Sequence, residues 1–220
     1  MPDMTRHVVP RGSPFSWSMT EAQLGRLSVV GEVAEVVLET EIMSPPVQRA
    51  LLHRRAFEEA REAAARLLVL EAGCLLSPDA GAVLQRVLAE LGERRWDVIH
   101  LGAATRGVEP VPAAGLTHVV AAGTATAMFA NVYAADALEA LLSLLPADPA
   151  AMADWLGARQ APFEDIMLEL PDRYLAQPVV ACVPELLPYL DPSRRDGFVE
   201  GVTLSGPVVA PAADRAADDA

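Results

Sequence analysis

At 220 residues, just over half of them hydrophobic, the chain is long enough to bury one sizeable domain. A formal charge of −13 with scattered arginines excludes a nucleic-acid binder that works by neutralising phosphates. No apolar run approaches the roughly 18 residues of a membrane span, and residues 1–20 hold no apolar leader segment, so a cytoplasmic protein is expected.

Residues 1–18 read as an irregular arm, 19–205 as a single α/β domain, and 206–220 as a disordered acidic tail rich in alanine. Thr20-Glu21-Ala22-Gln23 has the spacing of a capping box, in which the two polar side chains satisfy each other's amides. Val29, Val30, Val33, Val36, Val37 and Leu38 follow, and periodicity leaves their state open. Ser44-Pro45-Pro46 stops the chain and starts a helix, since proline suits the first turn. That helix is predicted over 47–65, with Leu51, Phe57 and Ala64 on its inward stripe.

Residues 67–70 are an unbroken aliphatic run that ends in Glu71-Ala72-Gly73, the pattern of a strand buried on both faces. Ligands of open α/β sheets gather at the carboxyl ends of such strands, which makes Glu71 the first candidate. Leu75-Leu76 comes next, and Ser77 is placed to cap a helix running from Pro78 to about Leu91. Trp96 to Gly102 reads as a second strand with a glycine exit. Residues 103–116 form a loop, 119–129 one or two strands, and 134–145 a helix stopped by Pro146. Residues 152–156 add a helical turn. Pro162-Phe163-Glu164-Asp165 opens a further helix to about Leu170, and Pro178 and Pro184 bracket a last strand at 179–183. Cys74 and Cys182 each sit among apolar residues and read as buried free thiols. This alternation predicts a sheet covered by helices on both faces.

Leu52-His53, Phe57, Leu70-Glu71, Leu75-Leu76-Ser77-Pro78-Asp79, Trp96-Asp97 and Leu101-Gly102 form a recognisable series. It continues through Gly123-Thr124-Ala125-Thr126-Ala127, Ala135, Leu138, Leu141-Leu142, Pro162 to Asp165, and Val183-Pro184. In order and spacing it resembles glycosyltransferase family 25, the lipooligosaccharide and collagen galactosyltransferase group, over roughly residues 44 to 196. The resemblance implies a GT-A-like, nucleotide-diphospho-sugar transferase fold: a mixed, mostly parallel sheet with helices on both faces. It implies transfer of a hexose from a sugar nucleotide to the hydroxyl of a glycan or other acceptor, with lipopolysaccharide biosynthesis as a setting. It also implies Asp165 as the catalytic base, and Glu71, His53, Gly73 and Thr124 as substrate-binding residues.

The family also leads one to expect a divalent metal, Mn or Mg, held by two aspartates after the strand glutamate. Here those positions are Ala72 and Gly73, so the metal ligands are missing. A bound metal offers several kcal/mol to a departing diphosphate. Its loss lowers the rate on the order of thousands-fold unless another cation substitutes. The alternative is a non-catalytic pseudo-glycosyltransferase that acts as a binding or assembly partner of another protein. Each candidate residue also has a plain structural reading. Glu71 would be a solvated strand end, His53 a satisfied core histidine, Gly73 a tight-turn residue, and Asp165 a charge favoured at a helix N-terminus. Asp97 reads as structural. A third reading is an unrelated α/β enzyme whose strands imitate the family's spacing.

Overall fold

The computed structural model describes residues 1–9, 17–28, 31–38, 44–102, 111–113, 115–159, 161–190 and 192–200. In chain order the elements are β1 (Met4–Val8), α1 (Trp17–Glu21), β2 (Glu32–Glu35), α2 (Pro45–Glu62), β3 (Leu67–Glu71), β4 (Leu75–Leu76) and α3 (Ala80–Leu91). Then come β5 (Val98–His100), β6 (Val111–Pro112), β7 (Val119–Ala121), β8 (Ala130–Tyr133), α4 (Ala137–Leu144) and α5 (Pro149–Ala158). The last are β9 (Arg173–Ala176), β10 (Ala181–Cys182) and α6 (Pro192–Val199). Short 3-10 helices cover Leu24–Leu27, Phe163–Glu169 and Pro184–Tyr189.

Eight strands form one sheet in the order β2-β1-β3-β8-β5-β9-β7-β6, while β4 and β10 pair separately. β1 runs parallel to both β2 and β3, and β5 runs parallel to β9. β8 is antiparallel to β3 and β5, and β7 is antiparallel to β9 and β6. Followed from one edge to the other, only β8 and β7 reverse, so six of the eight strands share a direction. The sheet is mixed and mostly parallel, as expected.

Alternation along β3 divides the core. Leu67 and Val69 face α2, α4 and α5 beside Phe57, Leu138, Leu141 and Met152. Leu68 and Leu70 face α3 beside Val83, Leu84 and Val87. Helices therefore cover both faces, and an unbroken Leu-Leu-Val-Leu run is what such a strand requires. Among the described residues no helix is long and apolar enough to cross a membrane. Cys74 and Cys182 are free and buried.

Several expectations need correction. Residues 1–18 are not wholly an irregular arm, because Met4–Val8 is β1, hydrogen-bonded alongside β3. Its Arg6 and His7 hid it from a search for apolar runs. Arg6 is tolerated in the interior because its Nε donates to Glu59 at 2.6 Å and its Nη1 to the Thr5 carbonyl at 3.2 Å. Thr20 and Gln23 do not form a capping box. Thr20 donates to the Cys74 carbonyl at 3.2 Å, while the Gln23 amide accepts from the Leu76 amide and donates to the Phe198 carbonyl. Both are buried ties between distant segments.

The helix expected over 47–65 ends at Glu62, and Ala64 is an exposed residue at φ 50 rather than part of the inward stripe. α3 begins at Ala80, where the Ser77 hydroxyl bonds to Asp79 at 2.6 Å instead of capping a helix amide. The helix expected after Pro162 is present and is of the 3-10 kind, Phe163–Glu169. The tail at 206–220 lies outside the described residues.

β10 crosses close to the exit of β5, with the Val180 and Ala181 amides donating to the Leu101 carbonyl at 2.8 and 3.0 Å. A Cβ on Gly102 would run into the Ala181 carbonyl. Gly102→Ala should therefore cost about 1–3 kcal/mol through overpacking against backbone. Urea denaturation checks this, and an unchanged midpoint would contradict the close approach.

Candidate functional site

β3 delivers Glu71 to the carboxyl edge of the sheet and then turns sharply. The Glu71 amide donates to the Phe129 carbonyl at 2.8 Å, and the Cys74 amide to the Glu71 carbonyl at 3.0 Å. Gly73 sits at φ 87 in that turn, a conformation that suits a residue without a Cβ. α2 lies above, and its Arg49 and His53, one turn apart, share a helix face.

Both reach Glu71. Arg49 Nε donates to Glu71 Oε1 at 2.7 Å and its Nη2 to Oε2 at 3.2 Å, a side-on bidentate pair. His53 Nε2 lies 2.6 Å from Glu71 Oε1. An ionised carboxylate only accepts, so that nitrogen carries the proton. Arg49 Nη1 donates in turn to Glu164 Oε1 at 2.6 Å, from the 3-10 helix Phe163–Glu169. The Phe163 ring centroid lies 5.8 Å from the guanidinium carbon and 5.7 Å from the His53 ring centroid. Phe57 continues this packing to Tyr133, at 5.0 Å between ring centroids.

The electrostatics follow from burial and partners. Burial alone would push the Glu71 carboxyl up, but the hydrogen bond and field of His53, with the Arg49 guanidinium, hold it at about 2. Burial works against the charged form of Arg49, and Glu71 and Glu164 together reverse that and raise its pKa.

Beside this cluster lies a hollow of about 330 Å³ lined by Arg49, Thr126, Met128, Phe129, Glu164 and Glu185 among others. It lies at the carboxyl end of β3, where open sheets take ligands. A larger hollow, about 570 Å³, lies near the opposite end of the strands, by Arg66, Trp96 and Asp97. Two of its charged groups are held locally: Arg66 bonds to Asp3, and Asp97 accepts from the Asp172 amide at 2.9 Å. The smaller hollow is the candidate site.

Of the expected site residues, the structure brings His53 and Glu71 together. Gly73 shapes the turn below them. Thr124 is exposed on the turn after β7, and it is Thr126, 5% exposed, that lines the hollow. Asp165 is half-buried, while its neighbour Glu164 meets Arg49 and faces the hollow. Arg49, Glu164, Thr126 and Glu185 were not foreseen as site residues. The i, i+4 spacing of Arg49 and His53 on a helix just before β3 was the one available signal.

A divalent ion of the Mn or Mg type needs carboxylate oxygens turned toward it. Both Glu71 oxygens already accept from Arg49 or His53, and Ala72 and Gly73 add no side-chain ligand. A guanidinium fills the space that Glu71 shares with Glu164. The residues present do not fit the metal that the resemblance implies. Among the described residues no group of three or more His, Cys, Asp or Glu side chains is arranged to hold one.

No protein-family model and no curated protein matches the chain. Among solved structures it is similar to a glycosyltransferase involved in the glycosylation of the major capsid of PBCV-1. Identity is 15%, the TM-score 0.41, and the match covers 79% of this chain and 81% of that one. The chemistry of the site rests on this chain's own side chains.

The Glu71 carboxyl lies below its ordinary value of 4.5 in the folded protein, so its stabilising contribution is complete above about pH 5 and is lost as the pH falls toward 2. Glu71→Gln should cost on the order of 3 kcal/mol at pH 7, and the gap to wild type should narrow steadily below pH 5. Urea unfolding across that range reads it. A gap of constant size would show that the charge on Glu71 is not what matters.

Proposed function

We propose that this chain is a glycosyltransferase-like protein that holds a neutral glycan in the hollow beside Glu71 and does not transfer sugar. The observation that carries this reading is the charge lining that hollow. Among the described residues Arg49 is its only cation, already bound by Glu71 and Glu164, and Glu185 adds a further carboxylate. A sugar nucleotide would bring a diphosphate into a space whose described charge is net negative, and like charges brought together are disfavoured.

A neutral glycan has the complementary chemistry. Its hydroxyls donate to the carboxylates of Glu164 and Glu185 and exchange hydrogen bonds with Thr126. Its apolar ring face suits Phe129 and Met128 at the same wall. The volume, about 330 Å³, lies at the small end of ordinary ligand pockets and suits the end of an oligosaccharide. The order and spacing shared with the sugar-transferring family support a carbohydrate over other neutral ligands. Transfer itself needs a base within hydrogen-bond reach of the acceptor hydroxyl. Glu164 is held by Arg49, and Asp165 does not line the hollow.

The test is a thermal-shift panel of neutral oligosaccharides against UDP-, GDP- and CMP-sugars, with and without Mn²⁺, alongside a donor-hydrolysis assay. A neutral oligosaccharide at about 100 times its Kd should stabilise by roughly 2.7 kcal/mol, or about 5–10 °C in a chain this size. Glu185→Ala and Thr126→Val should reduce the shift. A Mn²⁺-dependent shift with a sugar nucleotide, or hexose transfer that Asp165→Asn abolishes, would replace this reading with the catalytic one.

A further inference from the structure

Around the guanidinium of Arg49 converge an imidazole and two carboxylates. Glu71 presents two oxygens to Nε and Nη2 at 2.7 and 3.2 Å, Glu164 presents one to Nη1 at 2.6 Å, and His53 bonds to the Glu71 oxygen that faces Nε. His53 is fully buried, and only 13% of the Glu71 side chain is exposed. One imidazole nitrogen and carboxylate oxygens from two residues are a donor set that first-row divalent ions accept. Here a single organic cation pairs with both carboxylates.

We propose that Arg49 is a resident cation that determines the ionic specificity of this edge: it is permanently paired with both Glu71 and Glu164, occupies the place between them and thereby keeps divalent ions out. The chemistry favours this assignment in three ways. A guanidinium does not lose its proton in a protein, so the pairing holds at every physiological pH and needs nothing from solution. Its planar fork satisfies both Glu71 oxygens at once, which leaves neither turned toward the hollow for a hard cation. The Phe163 ring against the guanidinium then fixes its plane.

The same geometry says what removal of Arg49 would do. Two carboxylates would face each other across the volume of a guanidinium, uncompensated and partly withdrawn from water, with an imidazole already bonded to one of them. Small side-chain movements would close that gap around a divalent ion. No sugar enters this inference or its test, so it stands or falls separately from the glycan reading.

The experiment titrates MnCl₂ into wild type, Arg49→Ala and the double variant Arg49→Ala/Glu71→Gln, following free Mn²⁺ by its paramagnetic resonance signal and folding by melting temperature. Wild type should leave Mn²⁺ free up to about 1 mM, the weak end of protein cation sites, with no change in melting temperature. Arg49→Ala should take up one ion at least about tenfold more tightly than wild type and melt higher with it, and the double variant should lose that uptake. A structural tie alone would destabilise on removal without creating an ion site. Should Arg49→Ala be unfolded by itself, refolding by Mn²⁺ but not by NaCl at equal ionic strength supports the inference, and no refolding by Mn²⁺ overturns it. Mn²⁺ binding by wild type that Glu71→Gln abolishes overturns it too, as does a folded Arg49→Ala no more responsive to Mn²⁺ than wild type.

Discussion

The contact between Arg49 and Glu71 is the constraint around which the carboxyl edge of this sheet is arranged. β3 is apolar on both faces and ends in one carboxylate, which reaches the rim but stays largely covered. A covered carboxylate is costly unless charged and hydrogen-bonding groups meet it. α2 supplies them from two positions one turn apart, which fixes its rotation and height over the sheet. The same guanidinium reaches Glu164 and fastens the 3-10 helix Phe163–Glu169 to both. Two consecutive elements, α2 and β3, and a third far along the chain are thus held by one cation, and the ring packing of Phe163, His53, Phe57 and Tyr133 fills the space beneath it.

A second buried polar group stiffens the wall of the hollow. Asn131, in the centre of the sheet on β8, donates to the Ala127 carbonyl at 2.7 Å and to Tyr133 Oη at 3.0 Å. With both amide protons so directed, its oxygen must accept from His100 Nδ1, 2.7 Å away. Burial holds the His100 imidazole down at about 4, so it is neutral under ordinary conditions and the direction of the chain of hydrogen bonds is settled. Ala127 lines the hollow, and this network ties that wall to the middle of the sheet. A buried polar cluster of this sort costs little only when its members satisfy one another.

How much of this was legible in the chain follows from where the signals lie. β3, β5, α2 and α3 announce themselves because unbroken aliphatic runs and three-and-four spacings are local properties. β1 did not, because Arg6 and His7 interrupt its apolar pattern, and Arg6 is tolerated through Glu59, 53 residues away. Thr20 and Gln23 have a local motif's spacing, yet their partners are Cys74, Leu76 and Phe198. The site shows the same limit. Order and spacing singled out His53 and Glu71, which lie 2.6 Å apart, but which of Asp165 and Glu164 faces Arg49 depends on how the segment coils. Thr124 and Thr126 differ only in which side of a turn they occupy. Arg49 was least visible of all, since its meaning lies in carboxylates 22 and 115 positions further along.

The identity of the cation at this edge decides what chemistry it can support. A divalent ion bound by carboxylates retains open positions for a diphosphate, and its charge exceeds what its ligands cancel locally. A guanidinium carries half that charge, and here two carboxylates already claim it. What remains for a ligand, among the described residues, is a surface with donors and acceptors but no surplus positive charge. Stabilising a leaving diphosphate requires that surplus, because the benefit comes from charge that develops as the bond breaks. Recognising hydroxyls does not, because each bond is local and neutral overall. With Ala72 and Gly73 following Glu71, and Arg49 held between Glu71 and Glu164, this edge presents a hollow of about 330 Å³ whose described lining lacks that surplus. That difference in charge is why the proposed ligand is a neutral glycan and not a sugar nucleotide.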